Sequence, residues 1–498
     1  MPIILLFAVF VVATCGLIYE LVAGTLASYL LGDSVTQFST IIGCYLFAMG
    51  IGSFFSKYFN TNLLAWFIKI ELLVGLVGGT SSTLLFLLFE QVESFRILLY
   101  FIVTLTGVLV GLEIPLLMRI LEDKVEFKEL VSQIFTFDYI GALVASIIFP
   151  LVLMPQLGIL KTSYLFGILN TIVAIFLCYK FEELMVTKYL KGIGYVVLLF
   201  LLAGFVYADS IMSFAESATY KEKIIFSKSS AYQRIIITKN SKDVRMYLNG
   251  NLQFNSTDEY RYHEALVHLP IQYSKKINKV LILGGGDGMA ARELLKYPSV
   301  KSIDLIDLDK AVTDLFKINP ILTDLNHESL LSTKVKIHNL DAFVWLKSNK
   351  QKYDLIIIDF PDPSNYSVGK LYSTTFYKEL YKCMADQGLA VIQSTSPYVA
   401  PNSFWCIYNT IQEVGFSAKP YHVFIPSFGD WGYVMLNKTD SWQKHQKLTS
   451  DLRFVDEKSF EQLSWFPKDI QHRKTELNKL NNQALVHYFE KEWNQFLQ

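Results

Sequence analysis

At 498 residues, 52% of them hydrophobic and with a mean hydropathy of +0.32, the chain is too long for one ordinary domain and too apolar for a wholly soluble one. Its 45 Lys and Arg balance 45 Asp and Glu, so no global field draws in nucleic acid or an anionic surface, and charge chemistry must be local. The five cysteines, Cys15, Cys44, Cys178, Cys383 and Cys406, lack CxxC spacing, which argues against a disulfide scaffold and against a zinc site.

The first apolar run has no Lys or Arg before it and exceeds the core of a signal peptide, so it reads as a retained helix. Stretches of about 20 apolar residues, the length that crosses a ~30 Å hydrocarbon core, recur up to Tyr207. They fall near residues 3–31, 38–55, 64–89, 97–117, 134–153, 160–179 and 193–207 and predict a polytopic α-helical membrane bundle of seven helices over residues 1–208, in a lipid bilayer. Glycines such as Gly43, Gly50, Gly52, Gly75, Gly78, Gly107 and Gly111 interrupt them, as expected where membrane helices pack closely. Glu20, Glu71, Glu113 and Asp138 sit inside apolar stretches, where an ionisable group marks pairing or function, and Lys69 is the expected partner of one. Lys57, Arg119, Lys124, Lys128, Lys180, Lys188 and Lys191 occupy alternate loops, against Arg96 and Lys161 in the others, which points the former to the cytoplasm. With an odd number of spans, that bias sends the C-terminal half outside.

Residues 209–275 change to short β-rich runs, with Asn249-Gly250 as a hairpin signal, and predict a small antiparallel sheet. Residues 276–440 alternate apolar strands with amphipathic helices, the pattern of a parallel, doubly wound Rossmann-like α/β sheet. Residues 441–498 read as a polar, helical C-terminal tail.

The strand Leu281 to Leu283 runs into Gly284-Gly285-Gly286-Asp287-Gly288, followed by a helix. Glycines allow a sharp turn and close approach of a ligand to free helix amides. A glycine turn alone is weak evidence. About 20 residues on, Asp307 ends the next strand, where an acid accepts both hydroxyls of a ribose. Asp287 in the loop disfavours a pyrophosphate and suits a cationic nucleoside, such as a sulfonium carrying an ammonium-bearing arm. Asp341 has two readings, acceptor for an adenine amino group or N-cap of AFVWLK.

The strand Tyr353 to Ile358 ends in Asp359-Phe360-Pro361-Asp362-Pro363, which sends two carboxylates to the ligand edge of the sheet. Gln233, Gln253 and Tyr262 precede it, and together these suit an alkylammonium. The series YQ, LNGNLQFNSTDEYRYHE, VLILGGGDG, LIDLD, DFPDP and KLYSTTFY resembles the polyamine aminopropyltransferases, the spermidine synthase family, over Ser229 to Leu436. The apolar front half and the tail resemble the long, membrane-anchored bacterial form.

The resemblance implies a methyltransferase-type sheet and no permanently bound cofactor or metal. It implies that Gln233, Gly284, Gly286, Asp287, Asp307 and Asp341 hold decarboxylated S-adenosylmethionine as co-substrate. Gln253, Tyr262, Asp359 and Asp362 would bind the amine, putrescine or a relative; because only a neutral amine attacks carbon, Asp359 is further read as the catalytic group that accepts a hydrogen bond or proton from it. Spermidine and methylthioadenosine are the products, and a homodimer through the catalytic domain is the implied assembly. Phe360-Pro361 stands where soluble members carry two serines, Asp307 where they carry glutamate, and Phe428 where an amine-contacting tyrosine is common, which leaves the acceptor amine open. Because the donor is a cytoplasmic metabolite, the expected location is a bacterial inner membrane with the catalytic domain in the cytoplasm, against the loop charges. A methyltransferase using S-adenosylmethionine and a non-catalytic polyamine-binding or transport protein are the competing readings.

Overall fold

The computed structural model describes residues 2–497 apart from 32–33, 90, 93, 123–125, 182–188, 221, 231 and 450. Lys124 and Lys188 of the loop-charge pattern lie outside the described residues. The chain divides into two compact units, Met1–Lys223 and Ile224–Gln498.

The first unit is helical: α1 (Pro2–Leu31), α2 (Ser34–Phe55), α3 (Leu63–Leu88), α4 (Phe95–Leu121), α5 (Phe127–Ile148), α6 (Met154–Lys180) and α7 (Tyr189–Thr219). Among the described residues, six stretches are long and apolar enough to cross a membrane by length and composition, and one of them, Phe127–Lys180, runs 54 residues. At 1.5 Å per residue that would be roughly 80 Å of straight helix, far more than a bilayer core of ~30 Å. It is broken instead. A wide π turn over Phe149–Leu153 holds Pro150, and Gly158 sits at φ 72°, ψ −178°, outside helical space. As a result α5 packs on α1 while α6 packs on α3.

Where α2 meets α4, a Cβ on Gly52 would stand 2.1 Å from the Val108 carbonyl and one on Gly111 2.2 Å from that of Met49. These two helices therefore touch backbone to backbone. Lys69, the expected partner of a buried glutamate, instead lies 4.3 Å over the ring of Trp66. Two positions along a helix are about 200° apart, so Lys69 and Glu71 face opposite ways. The last helix outruns its apolar stretch, which ends at Tyr207, because no Gly or Pro follows to stop it before Thr219. The unit boundary consequently falls after Lys223 and not after residue 208.

The second unit opens with a four-stranded sheet in the order β1 (Lys223–Ser229), β2 (Arg234–Lys239), β3 (Val244–Leu248), β4 (Asn251–Asn255). Strands β2, β3 and β4 pair antiparallel, with Asn249 (φ 50°) and Gly250 (φ 82°) supplying the left-handed turn. Helix α8 (Glu259–Tyr273) leads to β5 (Lys279–Gly284), helix α9 (Met289–Leu295), β6 (Ser302–Ile306), β7 (Val335–His338), β8 (Tyr353–Asp359), β9 (Met384–Gln393), β10 (Ser417–Ile425) and β11 (Gly429–Asn437). The large sheet has seven strands in the order β10-β11-β9-β8-β5-β6-β7.

Strands β5 to β9 are parallel, as the alternation of strand and helix predicts, whereas β10 and β11 form an antiparallel edge hairpin. Side chains alternate between two cores: Val280, Ile282, Leu355 and Ile357 enter one, Leu281, Leu283, Ile356 and Ile358 the other. That is why these strands read as continuous apolar runs.

In the helical tail expected over 441–498, α-helix covers Ser459–Leu463 and Ala484–Leu497 among the described residues, and most of the remainder is irregular. Its backbone is committed elsewhere. The amides of Arg453, Phe454 and Val455 donate to the Glu264 carboxylate on α8 at 2.9, 2.8 and 3.1 Å. Glu492 in turn accepts the Asn402 and Ser403 amides, at 2.8 and 3.0 Å, capping the helix that starts at Pro401.

Candidate active site

Parallel register brings the site together. Gly284 at the end of β5 pairs with Asp359 at the end of β8, and Leu283 pairs with Ile306, one residue before Asp307. Three adjacent strands thus deliver a carboxylate, a glycine turn and a second carboxylate to one edge of the sheet, where ligands bind in this architecture. A Cβ at Gly284 would lie 2.0 Å from the Asp359 carbonyl, and one at Gly286 would lie 2.6 Å from Asp307 Oδ2. Only glycine permits those approaches, and Gly284, with φ 83°, also needs its conformational freedom.

Asp307 Oδ2 accepts the Gly286 amide at 3.0 Å and Oδ1 the Asp309 amide at 2.8 Å. Burial, with Asp309 and Asp287 nearby, pushes its carboxyl up to about 7 despite those two amides. Asp287 Oδ1 accepts the Met289 amide at 2.9 Å at the start of α9. Gln233 reaches this corner through another acid: its Nε2 donates to Asp309 Oδ2 at 3.0 Å, and Ser230 Oγ donates to the same oxygen at 2.6 Å. Asp341 caps its helix, accepting the Phe343 and Val344 amides at 2.7 and 3.2 Å, while Oδ2 receives Lys370 Nζ at 2.7 Å. Burial alone would raise the Asp341 carboxyl, but Lys370 and the two amides outweigh it and hold it below the usual range.

On the other side of the glycine turn, Tyr262 on α8 donates its hydroxyl to Asp359 Oδ1 at 2.5 Å. Burial and the Asp287 charge raise the Asp359 carboxyl to about 6, with His263 and Tyr262 pulling against them. Asp362 Oδ1 is enclosed and has no hydrogen-bond partner. Burial lifts that carboxyl to about 7, tempered by the neighbouring Thr395 and Gln393. The connecting loop is held by Gln393, whose Nε2 donates to the Phe360 carbonyl and to the Tyr372 hydroxyl, and by Tyr372, which donates to the Pro361 carbonyl at 3.0 Å. Gln253 does not join this cluster: its Nε2 donates to the Asn251 carbonyl of its own strand at 3.2 Å.

A family model for the spermine/spermidine synthase domain matches residues 259–448. The polyamine aminopropyltransferase of Leptospira interrogans is 48% identical over 494 residues, covering 98% of both chains. The chain belongs to the polyamine aminopropyltransferases. Polyamine aminopropyltransferase 2 of Ralstonia nicotianae is 48% identical over 500 residues, 98% of both chains, and the Oceanobacillus iheyensis enzyme 36% over 494 residues, 98% of this chain and 96% of that one. A crystal structure of spermidine synthase in complex with the transition-state analogue AdoDATO shows 27% identity and a TM-score of 0.47, covering 50% of this chain and 87% of that one.

For an aminopropyltransferase, whose reaction is transfer of an aminopropyl group to an amine, the support beneath Tyr262 matters as much as the edge residues. Arg292 on α9 grips both oxygens of Glu259 on α8, at 3.0 and 2.9 Å, and its Nε donates to Glu293 at 2.8 Å. His263 Nδ1 lies 2.7 Å from Glu259 Oε2, and although burial opposes its charge, Glu259 and then Asp287 and Asp359 raise it to about 9. This buried network ties α8 to α9 and so fixes Tyr262 against the glycine turn. Reading the sequence placed His263 in the stretch lining the pocket but missed Arg292, Asp309 and Lys370 as parts of the site. A second acid two residues after Asp307 was the one local signal, whereas Arg292 and Lys370 act through pairs about 30 residues apart.

Proposed function

We propose that the second unit transfers the aminopropyl group of decarboxylated S-adenosylmethionine to putrescine, giving spermidine and methylthioadenosine. In this reading Asp307 takes the ribose hydroxyls, with Gly284 and Gly286 giving the nucleoside close access to the turn. Gln233 braces that corner through Asp309. Asp341 takes the adenine amino group once Lys370 gives way, and Asp287 attracts the ammonium of the aminopropyl arm. Intact S-adenosylmethionine carries a carboxylate beside that position, so Asp287 selects against it.

A primary amine is charged at neutral pH, near 10.4 for a lysine-like group, and attacks only when neutral. Asp362 anchors the distal ammonium. Asp359, oriented by Tyr262, accepts the proton from the attacking nitrogen. The nitrogen lone pair then forms the new C–N bond at the sulfonium-bound methylene, and the C–S pair returns to sulfur, leaving neutral methylthioadenosine. Gln253 enters the amine site only if its amide turns from Asn251.

The observation that carries this reading is the acid pair at the end of β8, with Asp359 held by Tyr262 at 2.5 Å and Asp362 Oδ1 enclosed without a partner. An enclosed carboxylate oxygen lacking a partner suits a cationic ligand that supplies one. The test is methylthioadenosine release from decarboxylated donor plus putrescine. Release that needs both substrates is expected, whereas methyl transfer from intact S-adenosylmethionine with no such release would overturn the reading.

We further propose that the helical unit crosses a membrane several times, with the catalytic unit in the cytoplasm. Donor supply supports that side, and the basic loop residues Lys57, Arg119, Lys128, Lys180 and Lys191 oppose it if the spans are odd in number. A C-terminal reporter active only in the periplasm would reject the cytoplasmic placement if it lit up.

A further inference from the structure

Five helices of the first unit bring together polar side chains that have no use in aminopropyl transfer. Glu71 on α3 is buried with both carboxylate oxygens unpartnered, and Glu113 on α4 is buried with Oε1 unpartnered. The Tyr19 hydroxyl of α1 and both amide atoms of Asn170 on α6 are likewise buried and unpartnered, and no residue among these four is more than 2% exposed.

They belong to one place. A Cβ at Gly16, one turn before Tyr19 on α1, would lie 2.9 Å from Val110, one turn before Glu113 on α4, and the Tyr45 hydroxyl of α2 donates to the Gly16 carbonyl at 2.9 Å. One turn after Glu71, a Cβ at Gly75 would lie 3.4 Å from Asn170 Cβ, and at the next turn one at Gly78 would lie 2.7 Å from the Tyr19 ring. The face of α3 that carries Glu71 is thus the face that meets α1 and α6.

Buried polar atoms without partners cost on the order of 1–3 kcal/mol each, and an ionisable group at membrane depth is a functional feature by default. Helices could have closed this gap with a lysine, and Lys69 faces away instead, onto Trp66. The set is rich in acceptors, contains two acids on different helices, and is bordered by two tyrosine rings. No group of three or more His, Cys, Asp or Glu able to hold a metal ion occurs among the described residues. Two acids with tyrosines beside them fit an organic ammonium better than a compact metal ion, which needs six or more oxygens.

We propose that the helical unit holds a second binding site, for an alkylammonium, with Glu71 and Glu113 as its anionic ligands and Tyr19 and Asn170 as its polar ones. That the cation is an amine of the kind used or made by the catalytic unit rests on the function proposed above; that it is a cation rests on the helical residues alone.

The experiment is equilibrium binding of radiolabelled spermidine to the full chain in detergent, with methylthioadenosine release measured on the same preparations. Glu71→Gln and Glu113→Gln should each lose one equivalent of bound spermidine per chain while keeping the transferase rate within about twofold. Tyr19→Phe, a milder change that covers misfolding of the glutamine variants, should weaken that equivalent about tenfold, one hydrogen bond to a charged group. Unchanged stoichiometry and affinity in all three variants would overturn the proposal. So would displacement of the spermidine by sodium chloride but not by choline chloride at equal ionic strength, which would make the ligand a metal ion. A chain that bound this equivalent yet released no methylthioadenosine would keep the helical site and reject the catalytic reading.

Discussion

The two units treat buried acids in opposite ways. In the catalytic unit Glu259 is gripped by Arg292 and His263, Glu293 by Arg292, His268 and Lys296, and Glu264 by three tail amides. In the helical unit Glu71 and Glu113 have orphaned oxygens. On the readings proposed above, the difference separates two uses of a buried acid: one with its partners supplied by the chain is scaffolding, whereas one without takes a cation from outside. Asp362 falls between the two, with its Oδ1 orphaned but Thr395 and Gln393 beside the carboxyl.

The largest effect that bears on this comparison is expected from Arg292→Met, which would leave Glu259 and Glu293 buried without their shared cation. Loss of one member of a buried ion network costs about 3–5 kcal/mol, so the thermal transition of the catalytic unit should fall by roughly 10 °C. An unchanged transition would mean that the partnered acids are not scaffolding. Asp287→Asn should raise the KM for the decarboxylated donor about tenfold, near 1.4 kcal/mol, and shrink discrimination against intact S-adenosylmethionine by a similar factor. Steady-state kinetics with both nucleosides measures this.

Asp362→Asn sharpens the comparison from the opposite direction. Its folded-state value of about 7 lies above the ordinary carboxylate value, so its protonated form favours the fold, and that contribution is lost as pH rises through about 7. Removing the charge should raise the melting temperature at pH 8 by a few degrees, leave it unchanged at pH 4, and weaken amine binding. The smallest effect concerns acidity. With Asp359 near 6, kcat/KM for the amine should fall about twofold between pH 8 and pH 6 as the free enzyme's base takes up a proton.

Much of this was legible along the chain, for identifiable reasons. Continuous apolar runs marked the membrane-length helices, which are apolar around their whole circumference, and the strands β5 and β8, which are covered on both faces. Gly284, Gly286, Asp287, Asp307 and Asp359 could be grouped because parallel strands end together at one edge. Features that depend on distant partners were hidden. The extended path of the tail is set by Glu264 and Glu492, which no local pattern relates to residues 453–455 or 402–403. Gln233 was assigned to the nucleoside corner, yet nothing nearby in sequence reveals that it arrives by way of Asp309. Asp341 carried two readings, and the structure holds the N-cap while Lys370 occupies its other oxygen. Polarity after Tyr207 suggested an end to α7, but polar residues alone do not stop a helix.

The proton-accepting role of Asp359 is the centre of the account, and single-turnover release of methylthioadenosine by Asp359→Asn tests it most directly. With donor and putrescine both saturating, the rate should fall by about 10²–10⁴ while donor affinity stays within a few fold. Release at the unmodified rate would contradict it.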